Sequence, residues 1–225
     1  MGTQEEVRPA WYALRAGGAR DYLTLLHPPY TLWHLSYVAA GAAVAPQFHL
    51  DRLLWALVAF FLAMGVAAHA LDELSGRPLA TRIPAAALVA IAVVALAGAV
   101  AVGIGAADAW GWGLLGFVAV GAVLVPAYNL ELAFHTDRGF AVAWGAFPAL
   151  TGYFVEAQTL RIEAVAVAVY AVALSLAQRA LSTPVRRARR EHRTTAGTEP
   201  LERALRLLTW ATVALAVGLV AARLR

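Results

Sequence analysis

The most restrictive feature of this sequence is a series of apolar segments, each about 20 residues long. A helix of that length crosses the ~30 Å hydrocarbon core of a bilayer. Of the 225 residues, 61% are hydrophobic and 14% are charged, so a soluble domain could not bury the apolar surface. We therefore predict an all-α, polytopic transmembrane helical bundle. The seven predicted spans are residues 30–47, 52–72, 84–105, 110–130, 140–156, 162–181 and 205–222.

The polar residues indicate how the chain is organised around these spans. Residues 1–28 are a predicted cytoplasmic amino-terminal segment, and 29–225 form a single transmembrane helical domain. That domain contains an Arg-rich cytoplasmic loop, 182–204. Clustered arginines beside a span attract anionic headgroups by about 1 kcal/mol each. Membrane lipids are therefore expected partners of the chain.

The arginines also predict the orientation. All eighteen basic residues are arginine. If the amino terminus is inside, only Arg52, Arg161, Arg223 and Arg225 fall on outer segments. This asymmetry follows the positive-inside rule, so we expect a cytoplasmic amino terminus in a bacterial or archaeal cell membrane. Topology thus accounts for the pI near 9.8, and we expect no nucleic-acid partner.

Several aromatic and acidic residues lie close to the predicted span ends. The aromatic rings are expected to act as anchors in the headgroup zone. Glu156 and Glu163, at the outer ends of the fifth and sixth spans, are expected to be solvated caps. The aromatic residues are Trp33, Tyr37, Trp55, Trp110, Trp112, Trp144 and Trp210.

Two polar clusters interrupt the apolar helices where two spans end on the cytoplasmic side. The first contains His69, Asp72 and Glu73, whose spacings of three and four place them on one helical face. In the second, Glu131 and His135 are one turn apart. Ionisable groups at membrane depth usually face the bundle interior and mark function.

The residue types in these clusters are suited to a divalent metal. The chain has no cysteine, which excludes a thiolate site, a Cys nucleophile and a disulfide. Carboxylates suit Mg²⁺ or Mn²⁺, and added imidazole favours Zn²⁺, Mn²⁺ or Fe²⁺. An equally open interpretation is that the carboxylates pair with nearby arginines and that the histidines bond to backbone. The candidate metal ligands are His69, Asp72, Glu73, Glu131 and His135.

At these residues the chain resembles the UbiA superfamily of intramembrane prenyltransferases. The segment 23–29 is similar to the family's entry to helix one, with His27 in place of an arginine, and 69–84 resembles its first aspartate-rich motif, with Asp72 matching outright. The second such motif of the family corresponds to 178–186, where this chain has no carboxylate. Family members usually have nine helices, two more than predicted here.

The resemblance implies a helical bundle with a cytoplasm-facing cavity, in which Mg²⁺ and basic groups bind an isoprenyl diphosphate. It implies catalytic roles for Asp72, Glu73 and His69. The residues then expected to bind substrate are Arg77, Arg82, Tyr128, Asn129 and Arg138.

Three functions remain open from the sequence. The first is a UbiA-like enzyme that acts on a prenyl or other lipid-soluble substrate at a metal site. The second is a hydrolase or oxidase on the same scaffold, using a mixed His and carboxylate site for Zn²⁺, Mn²⁺ or Fe²⁺. The third is a non-catalytic membrane binding or assembly protein that retains the scaffold.

Overall fold

A computed structural model describes residues 8–133, 135–191 and 197–225. Parts of the predicted segment 1–28 and loop 182–204, and one position of the second polar cluster, lie outside the described residues. Within the described ranges all regular structure is helical. A short helix, α1 (Ala19–Leu25), precedes seven longer ones. These are α2 (Pro28–Ala43), α3 (Leu50–Leu74), α4 (Ala85–Trp110), α5 (Leu114–Asn129), α6 (137–157), α7 (Ile162–Arg190) and α8 (Glu199–Arg223).

The seven longer helices confirm the seven predicted spans, with boundaries that mostly agree within a few residues. Helices α3, α4, α7 and α8 are long and apolar enough to cross a membrane, and α5 is a shorter apolar helix. The largest difference is at α7, which continues through the arginines assigned to a loop and ends at Arg190. Arginine is a good helix former, and Arg189 there pairs with Glu202 of α8.

The chain alternates between two ends of the bundle. The polar end, defined by Asp72, Asn129, Asp137 and Arg190, receives the carboxyl ends of α3, α5 and α7 and the amino ends of α2, α4, α6 and α8. The opposite end holds Ala43, Trp110 and Ala157. The two predicted polar clusters therefore lie at the same end, as their positions on spans of the same direction suggested.

Helix α2 lies at the centre of the bundle and packs against α3, α6, α7 and α8. It begins with Pro28 and Pro29, which need no hydrogen-bond donor in a first helical turn. Trp33 and Tyr37 are buried, and the Tyr37 hydroxyl accepts hydrogen bonds from Trp33 and from Ser175 of α7. These two aromatic residues hold the interior together, so their prediction as headgroup anchors is wrong.

Close backbone contact between α2 and α6 depends on two glycines. A Cβ atom added to Gly41 would lie 2.0 Å from the Ala149 carbonyl oxygen, and one added to Gly152 would lie 2.1 Å from the Val38 carbonyl oxygen. No real contact is that short, so both positions exclude a side chain at this helix separation. Small residues allow such approach in membranes, where lipid supplies no hydrophobic force between helices.

Replacing Gly152 with alanine should destabilise the bundle because the new methyl group must push α2 and α6 apart. Overpacking of this kind costs about 1–3 kcal/mol. We expect a lower midpoint of thermal unfolding in detergent. Gly218→Ala in α8 is the matched control, since its Cβ has nothing within 4 Å and alanine favours a helix. Equal midpoints for the two variants would contradict the close contact.

Candidate functional site

The connection between α3 and α4 is fastened to the bundle by buried carboxylates. Glu73 is fully buried at the end of α3. It accepts hydrogen bonds from the Leu79 amide at 2.9 Å, the Thr81 amide at 2.8 Å and the Thr81 hydroxyl at 2.9 Å. Asp21 of α1 is also buried and accepts from the Arg82 amide at 2.8 Å. The Glu73 carboxylate is thus occupied by three donors and acts as a brace for this connection.

The predicted substrate-binding arginines of this connection are directed away from the bundle interior or into the backbone. Arg77 donates to the carbonyls of Thr81 and Ile83, so it stabilises the connection itself. Arg82 is exposed, and Arg138, at the start of α6, is also exposed. The structure therefore does not bring these three side chains together around one ligand.

A stack of rings occupies the polar end beneath the amino-terminal segment. The imidazoles of His27 and His69 lie nearly parallel, with centroids 4.1 Å apart. His69 Nδ1 lies 3.1 Å from the Gly65 carbonyl oxygen, and the ring also contacts the Leu26 carbonyl. The Tyr12 hydroxyl lies 2.8 Å from His27 Nδ1. Backbone carbonyls therefore hold the His69 ring in place.

His27 is an unusual residue in both its backbone and its side chain. It precedes α2 with a positive φ of 44°, a conformation that non-glycine residues rarely adopt. Burial lowers the pKa of its imidazole well below the ordinary value of 6.5, and the nearby His69 and Arg186 act in the same direction. The ring is therefore neutral at pH 7. Its Nε2 atom is buried and has no hydrogen-bond partner among the described residues.

Asp72 differs from Glu73 although the two are adjacent. It is half-buried, and its carboxylate has no hydrogen bond or ion pair within the described part of the chain. The charges that act on it come from Arg186 of α7, from His135 and Glu131, and from Glu73. Asp72 is thus the carboxylate that remains available for chemistry at the polar end.

The second polar cluster is arranged around Tyr128. The His135 ring stacks on the buried Tyr128 ring with centroids 4.8 Å apart, and His135 Nε2 lies 3.7 Å from Glu131. Both Glu131 and His135 are exposed. Asn129 is buried, and its side-chain amide donates to the Val125 carbonyl at 2.7 Å, which stabilises the last turn of α5.

Below this polar layer lies an apolar cavity of about 100 Å³ between α3, α4, α5 and α6. The Tyr128 and Trp144 rings meet edge to face, and Trp144 also lines the cavity, so the two rings join the polar layer to the apolar space. Its other walls are apolar apart from Thr151. The remaining wall residues include Phe60, Met64, Val100, Phe117, Ala122 and Phe147.

Two π-helical segments shape this cavity. They occupy Phe61–Ala68 within α3 and Val142–Ala146 within α6, and they carry Met64 and Trp144 to the cavity wall. Such segments are rare and occur frequently at functional sites. Sequence periodicity does not reveal these segments. The prediction that Trp144 is a headgroup anchor is therefore wrong, because the segment in α6 turns this ring to the cavity wall.

Two further residues, His34 and Glu156, have roles that the sequence did not predict. His34 is buried, and its Nδ1 lies 2.8 Å from the Trp144 carbonyl, which holds the π-helical segment. At the opposite end Glu156 is buried, with the His49 amide donating to it at 2.8 Å at the start of α3. The prediction that Glu156 is a solvated cap is therefore wrong, because the connection before α3 covers it. Glu163 is exposed, as expected.

The predicted metal ligands do not assemble into a coordination site. Glu73 is saturated by three donors, and His69 is bonded to backbone. Within residues 8–133, 135–191 and 197–225, no group of three or more His, Asp or Glu side chains converges as metal ligands do. Two ligands from Glu131 and His135 are fewer than a protein site for Zn²⁺ requires. The residues present therefore do not fit a divalent metal held by protein alone.

The fold and the site define an integral membrane helical bundle with a polar layer above an apolar cavity. A UbiA homologue from Archaeoglobus fulgidus bound to Cd²⁺ is 18% identical, with a TM-score of 0.59 over 91% of this chain and 85% of that chain. A second structure, of a UbiA homologue from the same organism, is 18% identical, with a TM-score of 0.55 over 91% and 84% of the two chains.

The chain therefore has a UbiA-like fold, as its sequence predicted. No family model matches it, and no curated protein matches it either. The likeness resides in the arrangement of the helices, and in this arrangement residues 69–84 lie at the polar end.

Glu73→Ala should destabilise the protein strongly, whereas Asp72→Asn should not. Removing the Glu73 carboxylate leaves three donors without a partner, and hydrogen bonds to a charged group contribute roughly 1.5–3 kcal/mol each. The Asp72 side chain makes no bond to a described residue that asparagine would break. Thermal unfolding in detergent tests this contrast. It would be contradicted by a midpoint for Glu73→Ala equal to that of the wild type.

Proposed function

We propose that this protein is a membrane enzyme of the prenyltransferase type, acting on a prenyl or other lipid-soluble substrate. The observation that supports this most directly is the apolar cavity beneath the polar layer, with the contacting rings of Trp144 and Tyr128 between them. In this proposal an apolar chain enters the cavity from the polar layer, and its functional group lies in the layer that contains Asp72. The UbiA-like arrangement of the helices agrees with this use of the bundle.

In this proposal the side chains of the polar layer have separate tasks. Asp72 is the carboxylate that accepts a proton from the attacking group or balances a developing positive charge. Tyr128 and Trp144 form the boundary at which the apolar chain ends. Glu73 and Asp21 keep the connection between α3 and α4 in place, and this fixes the position of Asp72 in the polar layer.

The other two functions predicted from the sequence have less support. A metal-dependent hydrolase or oxidase requires a His and carboxylate set that the described residues do not bring together. A non-catalytic binding protein would use the cavity in the same way but would have no need for Asp72. Turnover therefore separates an enzyme from a binding protein.

Filling the cavity should abolish binding of an apolar chain. Ala122 lines the cavity, whereas its neighbour Val123 is 65% exposed on the outer surface of α5. Ala122→Trp should therefore prevent binding of a fluorescent prenyl alcohol in detergent, and Val123→Trp should leave it unchanged. If both variants bind the probe as the wild type does, the cavity is not the chain-binding site.

Asp72→Asn should lose turnover while keeping its fold. The assay incubates the purified protein with labelled geranylgeranyl diphosphate and a lipid extract, and detects prenylated products by mass spectrometry. We expect a loss of about 10²-fold or more, as for a lost general base. Thermal unfolding and prenyl alcohol binding serve as controls for folding. Full activity of Asp72→Asn would exclude the proposed role of this carboxylate.

A further inference from the structure

The arginines of α7 take the place at which the UbiA resemblance leads one to expect a second set of carboxylates. Arg179, Arg186 and Arg190 are separated by seven and four residues, so they lie along one face of the helix. Their charges act on one another. A second carboxylate motif on α7 would give this part of the polar end a negative charge. The arginines of α7 give it a positive charge instead.

Arg179 and Arg186 differ in their pairing within the described residues. Arg179 forms an ion pair with Asp137, with Nε 2.7 Å from the carboxylate, and its guanidinium also lies over the Phe140 ring. Arg186 forms no ion pair or hydrogen bond within the described residues, and it is exposed. The groups on which its charge acts are Tyr12, His27, Tyr30, Asp72 and Tyr128.

His27 contributes a second, independent observation at the same place. Its side chain is only 9% exposed, yet Nε2 has no partner. Buried polar atoms are nearly always bonded, so an exception points to a ligand. When the Tyr12 hydroxyl donates to Nδ1, the neutral ring carries its proton on Nε2 and offers it to an acceptor. Tyr12 and Tyr30 border the ring and fix its position.

We infer that Arg186 and His27 form an anion site that binds phosphoryl oxygens directly, without a divalent metal. Arginine presents a planar set of donors that matches phosphate geometry, and a buried N–H adds a directional bond. The absence of converging metal ligands in the described residues and the unpaired cation are then explained by the same ligand. This inference rests on the proposed function and deepens it by naming the headgroup chemistry of the substrate.

The phosphoryl group could belong to an isoprenyl diphosphate, to free diphosphate or to an anionic phospholipid. All three ligands present phosphoryl oxygens, and the experiment distinguishes between them. Binding to the full-length protein is measured in EDTA with three probes. These are geranylgeranyl diphosphate, inorganic diphosphate, and nanodiscs containing phosphatidylglycerol compared with phosphatidylcholine.

The variants are Arg186→Gln, Arg186→Lys, His27→Phe and the control Arg187→Gln. The control substitution Arg187→Gln removes the same charge one residue away. The Arg187 side chain is 77% exposed and pairs with Glu191, so it is not part of the inferred site. The wild type should bind at least one phosphoryl probe in EDTA. Arg186→Gln should weaken that binding by about tenfold or more, as expected for a lost charged hydrogen bond. Arg186→Lys and His27→Phe should show smaller losses, and Arg187→Gln less than about twofold.

The outcomes distinguish this inference from the proposed function. Binding that disappears in EDTA and returns with Mg²⁺, or an equal affinity in wild type and Arg186→Gln, overturns the metal-free anion site. If prenyl alcohol still binds in that case, the proposed function is unaffected. If the wild type binds inorganic diphosphate but does not bind the prenyl alcohol, the proposed function is overturned and the anion site is supported. Thermal unfolding of each variant confirms that a loss of binding is not a loss of fold.

Discussion

The structure depends on the close contact of α2 with α6. In a membrane no hydrophobic force drives helices together, so the backbones must approach until van der Waals contacts and dipoles stabilise them. Gly41 and Gly152 permit this approach on the two sides of the contact. Because α2 is also the helix against which α3, α7 and α8 pack, its position sets where every other element of the bundle lies. The polar end and the cavity are both consequences of that arrangement.

The polar end shows how two adjacent carboxylates acquire different tasks. Glu73 faces the connection between α3 and α4, and three donors of that connection bind it. Asp72, one residue earlier on the helix, is rotated by about 100° and so points away from that connection. A buried charge must be fully hydrogen-bonded to be tolerated, so Glu73 is committed to structure. The freedom of Asp72 is what makes it the candidate for catalysis.

The electrostatic character of the pocket follows from α7. In a pocket with two carboxylate motifs, cations are needed before an anionic headgroup can bind. Here Arg179 is paired with Asp137, while Arg186 has no ion pair within the described residues and its charge acts on Asp72 and His27. The π-helical segment of α6 meanwhile brings Trp144 under this layer, next to the Tyr128 ring. These features belong to one site although four helices contribute to it.

The sequence by itself determined the class of fold, the seven helical segments and the end of the bundle at which the two polar clusters lie. Span length and apolar content reflect the thickness of a bilayer, which is a local constraint that each segment satisfies independently. Resemblance in the segment around Asp72 indicated the UbiA-like arrangement. Only the tertiary structure decided that Glu73 and His69 are engaged by other groups, that Glu156 is buried, and that the buried Nε2 of His27 has no partner within the described residues. Burial and hydrogen bonding depend on which residues distant in sequence become neighbours, and a single sequence does not contain that information locally.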